Sequence, residues 1–210
     1  MEQSLPKVAI CFPSGDTVHA DFALALAGLC NSTHPIQTPL INNKSSIVAM
    51  ARNNGVKSAK EFGADFILFL DSDMTFPRTT FHRLLAHRKD IVGALYTKRV
   101  PPHQILGAAI HGEATCDEGG LVEMKHMPTG CLLISMAVFE TLSEPHFRFL
   151  HDEATGEIHG EDYVFCDRAR AAGFQIWSDV KLSLEIGHIG QQIYRFSATR
   201  PEAPHIDTHQ

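Results

Sequence analysis

Apolar residues fall into short continuous runs that alternate with helical patterns through the first half of the chain. Strands are predicted at residues 7–12, 39–42, 66–70 and 90–96. Helices are predicted between them, at residues 19–29, 45–62 and 77–87, with Ser45 or Ser46 capping the second. The run at 66–70 has no polar alternation, which is typical of a strand covered on both faces. Such alternation of strands and helices favours an α/β fold with a mostly parallel central sheet flanked by helices.

The second half of the chain is less regular. Strands are predicted at residues 104–110, 120–124, 131–135, 175–177 and 182–186. A polar loop is expected at residues 146–159, followed by a helix over 160–173 that ends at a glycine. The length of 210 residues favours one domain, over residues 1–194. The polar tail at 195–210 is expected to be partly disordered.

Charge and cysteine content narrow the function classes. The formal net charge of -6 argues against broad electrostatic binding to nucleic acid. A negatively charged protein that handles a phosphorylated ligand needs a local positive charge, and a bound metal ion can supply it. The five cysteines form no CxxC pair, so neither a disulfide framework nor a zinc cluster is expected. Without a signal peptide pattern or an apolar run long enough for a transmembrane segment, we expect a cytoplasmic protein.

An acidic pair, Asp71-Ser72-Asp73, follows directly after the apolar run at 66–70. Open α/β sheets bind ligands at the carboxyl ends of their strands, and residues two apart on extended chain point the same way. Two carboxylates there suit Mg²⁺ or Mn²⁺. The pattern also fits a polar strand end in which one aspartate caps the next turn. An EF-hand is excluded because residues 74–77 supply neither its third ligand nor its glycine.

An ordered set of segments resembles small glycosyltransferases of the GT-A fold, of the inverting family 2 type that carries a DxD motif. The segments are ARN at 51–53, FGADFILFLDSDMTFP, DIVGALYTKR, MPTGCLLISMAVFE, GEDYVFCDRARAAGFQIWSD and GHIG at 187–190. They cover roughly residues 7–190 in the family's order. The resemblance implies a Rossmann-like GT-A fold and a nucleotide-sugar donor, most commonly a UDP-sugar. It leaves open whether the acceptor is a glycan, a lipid or a protein.

The resemblance also implies roles for individual residues. Those expected to hold the Mn²⁺ or Mg²⁺ ion are Asp73 and His188, while Asp71 is expected to contact the ribose, or the metal through water. Those expected to contact the nucleotide are Pro13, Ser14, Gly15, Arg52, Asp71 and Ser72. Those expected near the donor phosphates and sugar are Lys98, Arg99, Thr129, Gly130 and Glu161. From the residues alone, Arg52 fits a solvated helix face equally well, and the Lys98–Arg99 pair fits an ordinary basic surface.

A carboxylate on the apolar face of the last long helix is the candidate base. Helical spacing puts Asp162 on one stripe with Phe165, Cys166 and Ala169. A carboxylate that faces the core needs partners or a cleft. The alternative is a first-turn carboxylate that interacts with the helix dipole, which fits Glu161 better than Asp162. The resemblance implies that Asp162 is the general base of an inverting transfer.

Two other functions remain open from the sequence. A haloacid dehalogenase-type phosphohydrolase also uses a D-x-D after an apolar strand, and Asp162 with Asp167 could imitate its late acidic pair. Against it, several elements precede Asp71, and Met74 stands where that motif has glycine. A non-catalytic nucleotide-sugar binding protein would keep the metal site without turnover. A sugar nucleotidyltransferase is less favoured, because the N-terminus lacks a glycine-rich basic loop.

Overall fold

The computed structural model describes residues 5–110, 117 and 119–190. The strands are β1 Val8–Ser14, β2 Leu40–Lys44, β3 Phe66–Leu70, β4 Met74–Thr75, β5 Ile91–Gly93, β6 Ala108–Ala109, β7 Leu121–His126, β8 Cys131–Ser135, β9 Leu150–His151, β10 Ile158–His159, β11 Ile176–Asp179 and β12 Gly187–His188. The helices are α1 Ala20–Ser32, α2 Val48–Phe62, α3 Thr80–Ala86, α4 Met136–Thr141, α5 Glu161–Ala171 and α6 Val180–Ser183. The tail expected at 195–210 lies outside the described residues. Within the described ranges, no helix has the length and apolarity that a membrane crossing requires.

Eight strands form the central sheet, in the order β2-β1-β3-β8-β5-β11-β7-β6. Strand β1 runs parallel to β2 and β3, and β11 runs parallel to β5. Strand β8 is antiparallel to both β3 and β5, and β7 is antiparallel to β11 and β6. The α/β class is confirmed, but the expectation of a mostly parallel sheet is wrong, because the sheet is mixed. The apolar run of β8 at 131–134 reflects burial on both faces of the sheet, and such burial does not report strand direction.

Both faces of the sheet are covered by helices. Along β3, Ile67 and Phe69 pack into one core with residues of α2, α4 and α5. The alternate positions Leu68 and Leu70 pack into a second core with residues of α1, α3 and α6. Because successive side chains of a strand point to opposite faces, each face of the sheet has its own apolar layer. This burial explains why β3 shows no polar alternation.

Helix α2 begins later than its sequence predicts. Its N-cap is Ile47, which makes no side-chain capping bond, so the expected serine cap is wrong. Ser45 instead accepts a hydrogen bond from the Ile47 backbone N–H at 3.0 Å. Gly55, in the middle of α2, permits close packing on β1, since a Cβ there would lie 2.4 Å from Cys11 Sγ. The glycine therefore serves helix–sheet contact and does not end the helix.

Three predictions for the second half of the chain also need correction. The strand expected at 182–186 is wrong, because α6 occupies Val180–Ser183, capped where the Leu182 N–H bonds Asp179 at 2.7 Å. The loop expected at 146–159 contains the antiparallel pair β9–β10. The strand expected at 104–110 shortens to β6, Ala108–Ala109. These segments are short, and tertiary contacts override their local pattern.

One edge of the sheet collects the segments of interest. Strands β1, β2 and β3 are parallel and end there, at Ser14, Lys44 and Leu70. Strand β8 is antiparallel to β3 and starts at this edge, opposite Leu70. The small antiparallel sheet of β4 and β12 follows directly, pairing Met74 with His188.

Candidate functional site

A cavity of about 220 Å³ opens at the carboxyl edge of β1, β2 and β3. Its lining residues are Pro13, Ser14, Ser45, Ser46, Val48, Asp71, Ser72 and Asp73. The structure thus brings most of the predicted nucleotide-contacting residues together with both aspartates. Gly15 is exposed beyond them. The sequence reading missed three residues at 45, 46 and 48, although their place after β2, the parallel neighbour of β1, is a usable signal.

Arg52 is buried at this edge and joins two carboxylates. Only 3% of the residue is exposed. Its Nη2 donates to both oxygens of Asp71, at 3.0 and 3.1 Å, and its Nη1 donates to Glu161 Oε1. The alternative of a solvated helix face is therefore wrong, and contact with a nucleotide stays a prediction. No pattern in the sequence indicates the link to Glu161, which is 109 positions away.

Asp73 lies between an arginine and a histidine. Arg99 Nη1 donates to Asp73 Oδ2 at 2.9 Å, and His188 Nε2 lies 3.5 Å from the same oxygen. His188 Nδ1 lies 2.8 Å from the Thr97 carbonyl, an acceptor, so this nitrogen carries the ring proton. In the neutral ring, Nε2 then presents a lone pair toward Asp73. The pairing of β12 with β4 fixes this arrangement.

Asp73 and His188 are the residues expected to bind the Mn²⁺ or Mg²⁺ ion. Across the described parts of the chain, no three His, Cys, Asp or Glu side chains cluster as a complete metal site. Asp73 Oδ2 and His188 Nε2 nevertheless lie 3.5 Å apart, close enough for one cation to contact both. Mg²⁺ is usually held by one or two carboxylates together with substrate phosphates and water. The pair therefore fits a cation shared with a diphosphate, whereas Asp71 is engaged by Arg52.

Asp162 stands in the first turn of α5. Burial raises the pKa of its carboxyl, the positive charge of Arg52 opposes that rise, and the negative charge of Asp71 adds to it. Its Oδ1 accepts from the Tyr163 backbone N–H at 2.8 Å. Asp162 is half-buried, whereas Glu161 is more buried, with 7% of the residue exposed. The structure therefore gives Glu161 a buried ion pair in addition to any interaction with the helix dipole.

Gly130 and Tyr96 lie behind Asp71 and are joined to it by hydrogen bonds. The Gly130 N–H donates to Tyr96 Oη at 3.0 Å, and the Gly130 carbonyl accepts from the Asp71 N–H at 3.0 Å. A Cβ on residue 130 would lie 2.3 Å from Tyr96 Oη, so the site requires glycine. Burial raises the pKa of Tyr96 well above its usual value, and the charge of Asp71 adds to this. The Thr129 hydroxyl is buried and finds no partner among the described residues.

The two basic residues predicted to act together have different partners. Arg99 reaches Asp73, whereas Lys98 Nζ donates to Gln104 Oε1 at 3.3 Å. Both stand on a turn whose base is closed by the pairing of Thr97 with Ile105. Only Arg99 therefore belongs to the site as the structure presents it.

Comparisons with known proteins support the fold and go no further. No protein-family model and no curated protein sequence matches the chain. The crystal structure of A197 from STIV superposes with a TM-score of 0.61 at 14% identity, covering 92% of this chain and 100% of that chain. 4-diphosphocytidyl-2C-methyl-D-erythritol synthase superposes with a TM-score of 0.48 at 16% identity, covering 88% and 94%. The first similarity shows a shared fold, and the second is too weak to support an argument.

Proposed function

We propose that the chain is a glycosyltransferase that moves a sugar from a nucleotide-diphosphate sugar to an acceptor hydroxyl, with inversion. The observation that carries the proposal is the buried Arg52 bridge. It ties Asp71, on the wall of the cavity, to Glu161, the residue next to Asp162. The acidic pair after β3 and the candidate base on α5 therefore belong to one site.

The donor would lie in the cavity at the ends of β1, β2 and β3. A carboxylate has about four lone-pair sites, so Asp71 can accept from Arg52 and still accept from ribose hydroxyls. Asp73 and His188 are the residues that would hold Mn²⁺ or Mg²⁺. When bound, such an ion supplies Lewis-acid stabilisation of the charge on the departing diphosphate. UDP is the donor nucleotide that we favour.

The acceptor would be activated by Asp162. Its carboxylate takes the proton of the acceptor hydroxyl while that oxygen forms a bond to the anomeric carbon. The bond from that carbon to the diphosphate oxygen breaks, and its electron pair leaves with the diphosphate. Because burial raises the pKa of Asp162, the carboxylate is a stronger base than one on the surface.

The phosphohydrolase alternative is less well supported by the contacts. It needs Asp162 and Asp167 to act as one late acidic pair. Asp167 is an exposed residue whose Oδ1 lies 2.8 Å from His126 Nε2, on the part of α5 that faces β7. Asp167 therefore has a different partner, and Asp162 lies in the first turn of α5 beside Glu161 and the bridge.

Donor binding and reaction outcome are tested separately. UDP- and GDP-sugars are screened by thermal shift, with Mn²⁺ and with a chelator, and we expect metal-dependent stabilisation by a UDP-sugar. With the donor and an acceptor found, NMR of the product reports its anomeric configuration. Inversion is expected, and retention would contradict the role given to Asp162.

A further inference from the structure

The two aspartates of the acidic pair hold their arginines in different ways. The Arg52 side chain is 4% exposed in its pair with Asp71, whereas the Arg99 side chain is 49% exposed in its pair with Asp73. Exposed ion pairs contribute little to stability, while breaking a buried one leaves an uncompensated charge. The partner of Asp71 is therefore fixed, and the partner of Asp73 can be exchanged.

The atoms around Asp73 identify what could be exchanged. Arg99 Nη1 and His188 Nε2 approach the same carboxylate oxygen, Oδ2, at 2.9 and 3.5 Å. When the ring carries a single proton, on the Nδ1 that faces the Thr97 carbonyl, Nε2 is an acceptor 3.5 Å from the Asp73 oxygen. Two facing acceptors favour a cation beside them, and a guanidinium or a divalent ion can fill that role.

The exchange needs movement of a side chain alone. Two backbone hydrogen bonds hold the base of the turn that carries Arg99. The Lys98 N–H donates to the Gln104 carbonyl at 2.8 Å, and the Leu106 N–H donates to the Tyr96 carbonyl at 2.8 Å. Rotation of a long, half-exposed side chain can release Asp73 without breaking these bonds. The freed guanidinium would remain beside the cavity, within reach of an anionic ligand.

We propose that Arg99 switches partners during donor binding. It pairs with Asp73 until a divalent cation takes that carboxylate, and it then pairs with the diphosphate that the cation accompanies. The inference rests on the proposed function and adds a means of regulating its site, because the Arg99 guanidinium and the metal ion compete for the Asp73 carboxylate. Arg99 therefore has effects of opposite sign, weakening binding of the cation alone and strengthening binding of the nucleotide with its cation.

The switch is tested with Mn²⁺ and UDP as separate probes on the full chain. Electron paramagnetic resonance of free Mn²⁺ gives the affinity for the cation alone, and calorimetry with saturating Mn²⁺ gives the affinity for UDP. We expect Arg99→Gln to bind Mn²⁺ about fivefold more tightly, near the upper range of an exposed ion pair. The same variant is expected to bind UDP about tenfold more weakly, because it loses a charge-assisted hydrogen bond.

Lys98→Gln is the matched control, with the same change of charge on the same turn but no contact with Asp73. It should leave the Mn²⁺ affinity unchanged. In an Asp73→Asn background, the effect of Arg99→Gln on Mn²⁺ should vanish. The switch is overturned, even when UDP binds, if Arg99→Gln has the Mn²⁺ affinity of the wild-type protein or if neither of these two proteins binds Mn²⁺. Failure of UDP to bind the wild-type protein overturns the proposed function as well, so the two failures are distinguishable.

Discussion

Single residues at the edge of β3 differ in burial, and burial decides what each contributes. Arg52 is closed off from water between Asp71 and Glu161, whereas Arg99 meets Asp73 close to the surface. Salt and water screen the second pair far more than the first. Two arginines that pair with neighbouring aspartates are therefore expected to behave differently on substitution.

The first prediction compares the two arginines through stability. Arg52→Gln leaves the buried Glu161 and the partly exposed Asp71 without their cation and should lower the free energy of unfolding by about 3–5 kcal/mol. Arg99→Gln should lower it by less than about 1 kcal/mol. Urea denaturation at pH 7 measures both, with Arg52→Lys as the variant that keeps the charge. Similar losses in the two glutamine variants would contradict the assignment of a buried bridge.

The second prediction concerns the base. Asp162→Asn removes the proposed proton acceptor and should reduce kcat by about 10²-fold or more, the lower range for a general base. Donor affinity should change less than about twofold, because asparagine has the shape of aspartate and the donor is proposed to contact other residues. Asp167→Asn, on the same helix but exposed, is the control for turnover. Loss of donor binding in Asp162→Asn would contradict the proposal that Asp162 is the general base.

The pH dependence of turnover follows from the same carboxyl. Burial raises the pKa of Asp162 above its ordinary value of 3.8, although Arg52 opposes the rise. Only the deprotonated form accepts a proton, so the rate should fall as the pH drops through the raised pKa. Measuring kcat/KM against pH should place the acidic limb above the ordinary aspartate range. A profile that stays flat down to that range would contradict the base assignment.

At the scale of elements, a short strand pair positions the histidine of the site. Strand β12 pairs with β4 through Gly187 and Thr75, and the next residue is His188. A Cβ on residue 187 would lie 2.3 Å from Thr75 Oγ1 but 3.7 Å from its Cβ. Position 187 therefore requires glycine, because a Cβ there would overlap the Thr75 hydroxyl oxygen on the opposite strand.

Adding a methyl group at position 187 tests the contact with Thr75. Gly187→Ala should destabilise the protein by about 1–3 kcal/mol through overpacking and should weaken Mn²⁺ binding by displacing His188. Adding Thr75→Ala removes the clashing oxygen and should restore most of both losses. Gly28→Ala, where the nearest atom would be 3.9 Å away, serves as the control. Thermal unfolding and Mn²⁺ titration give the two readouts. Persistence of both losses in the double variant would show that the strand pair does not position the histidine.

The fifth prediction concerns the start of α6. Burial alone would raise the pKa of Asp179, but bonds from His87 and the Leu182 N–H, with the charge of Arg83, outweigh it and lower that pKa. A lowered pKa gives stability that is present above the unfolded value of 3.8 and is lost as the pH falls through the folded value. Wild-type stability should therefore decline faster than that of Asp179→Asn below about pH 4. Urea midpoints between pH 2.5 and about 6 measure the difference, and parallel curves would contradict it.

Most element types could be predicted from the sequence, because apolar runs report burial directly. The strand expected at 182–186 failed because its apolar positions alternate as in a strand, while the Asp179 cap favours a helical turn. The direction of β8 could not be read from a run that is buried on both faces. The acidic pair was found because it follows β3. The partners of Arg52 and Arg99 were not, since they depend on side chains brought together only by folding.

At the scale of the whole molecule, the sheet places four separated parts of the chain at one edge. The ends of β1, β2 and β3 form the cavity, and the antiparallel strand β8 begins beside them. Helix α5 is attached there through the bridge of Arg52 to Glu161. The similarity to A197 from STIV extends over 92% of the chain, so the fold as a whole is shared.

The net charge of -6 is a further property of the whole molecule that affects the site. An anionic nucleotide approaches a protein of the same sign, and the positive charge of Arg52 is already balanced by two carboxylates. A divalent cation at Asp73 would supply the missing positive charge. UDP binding is therefore expected to depend strongly on that cation.

Calorimetric titration of UDP into the wild-type protein and Asp73→Asn, each with Mn²⁺ and with a chelator, measures nucleotide binding through Asp73. We expect clear binding by the wild-type protein with Mn²⁺ and a loss of at least about tenfold in affinity in the other three conditions. Equal affinity in all four conditions, or no binding in any, would contradict the claim that the edge of β3 binds a nucleotide diphosphate through Asp73.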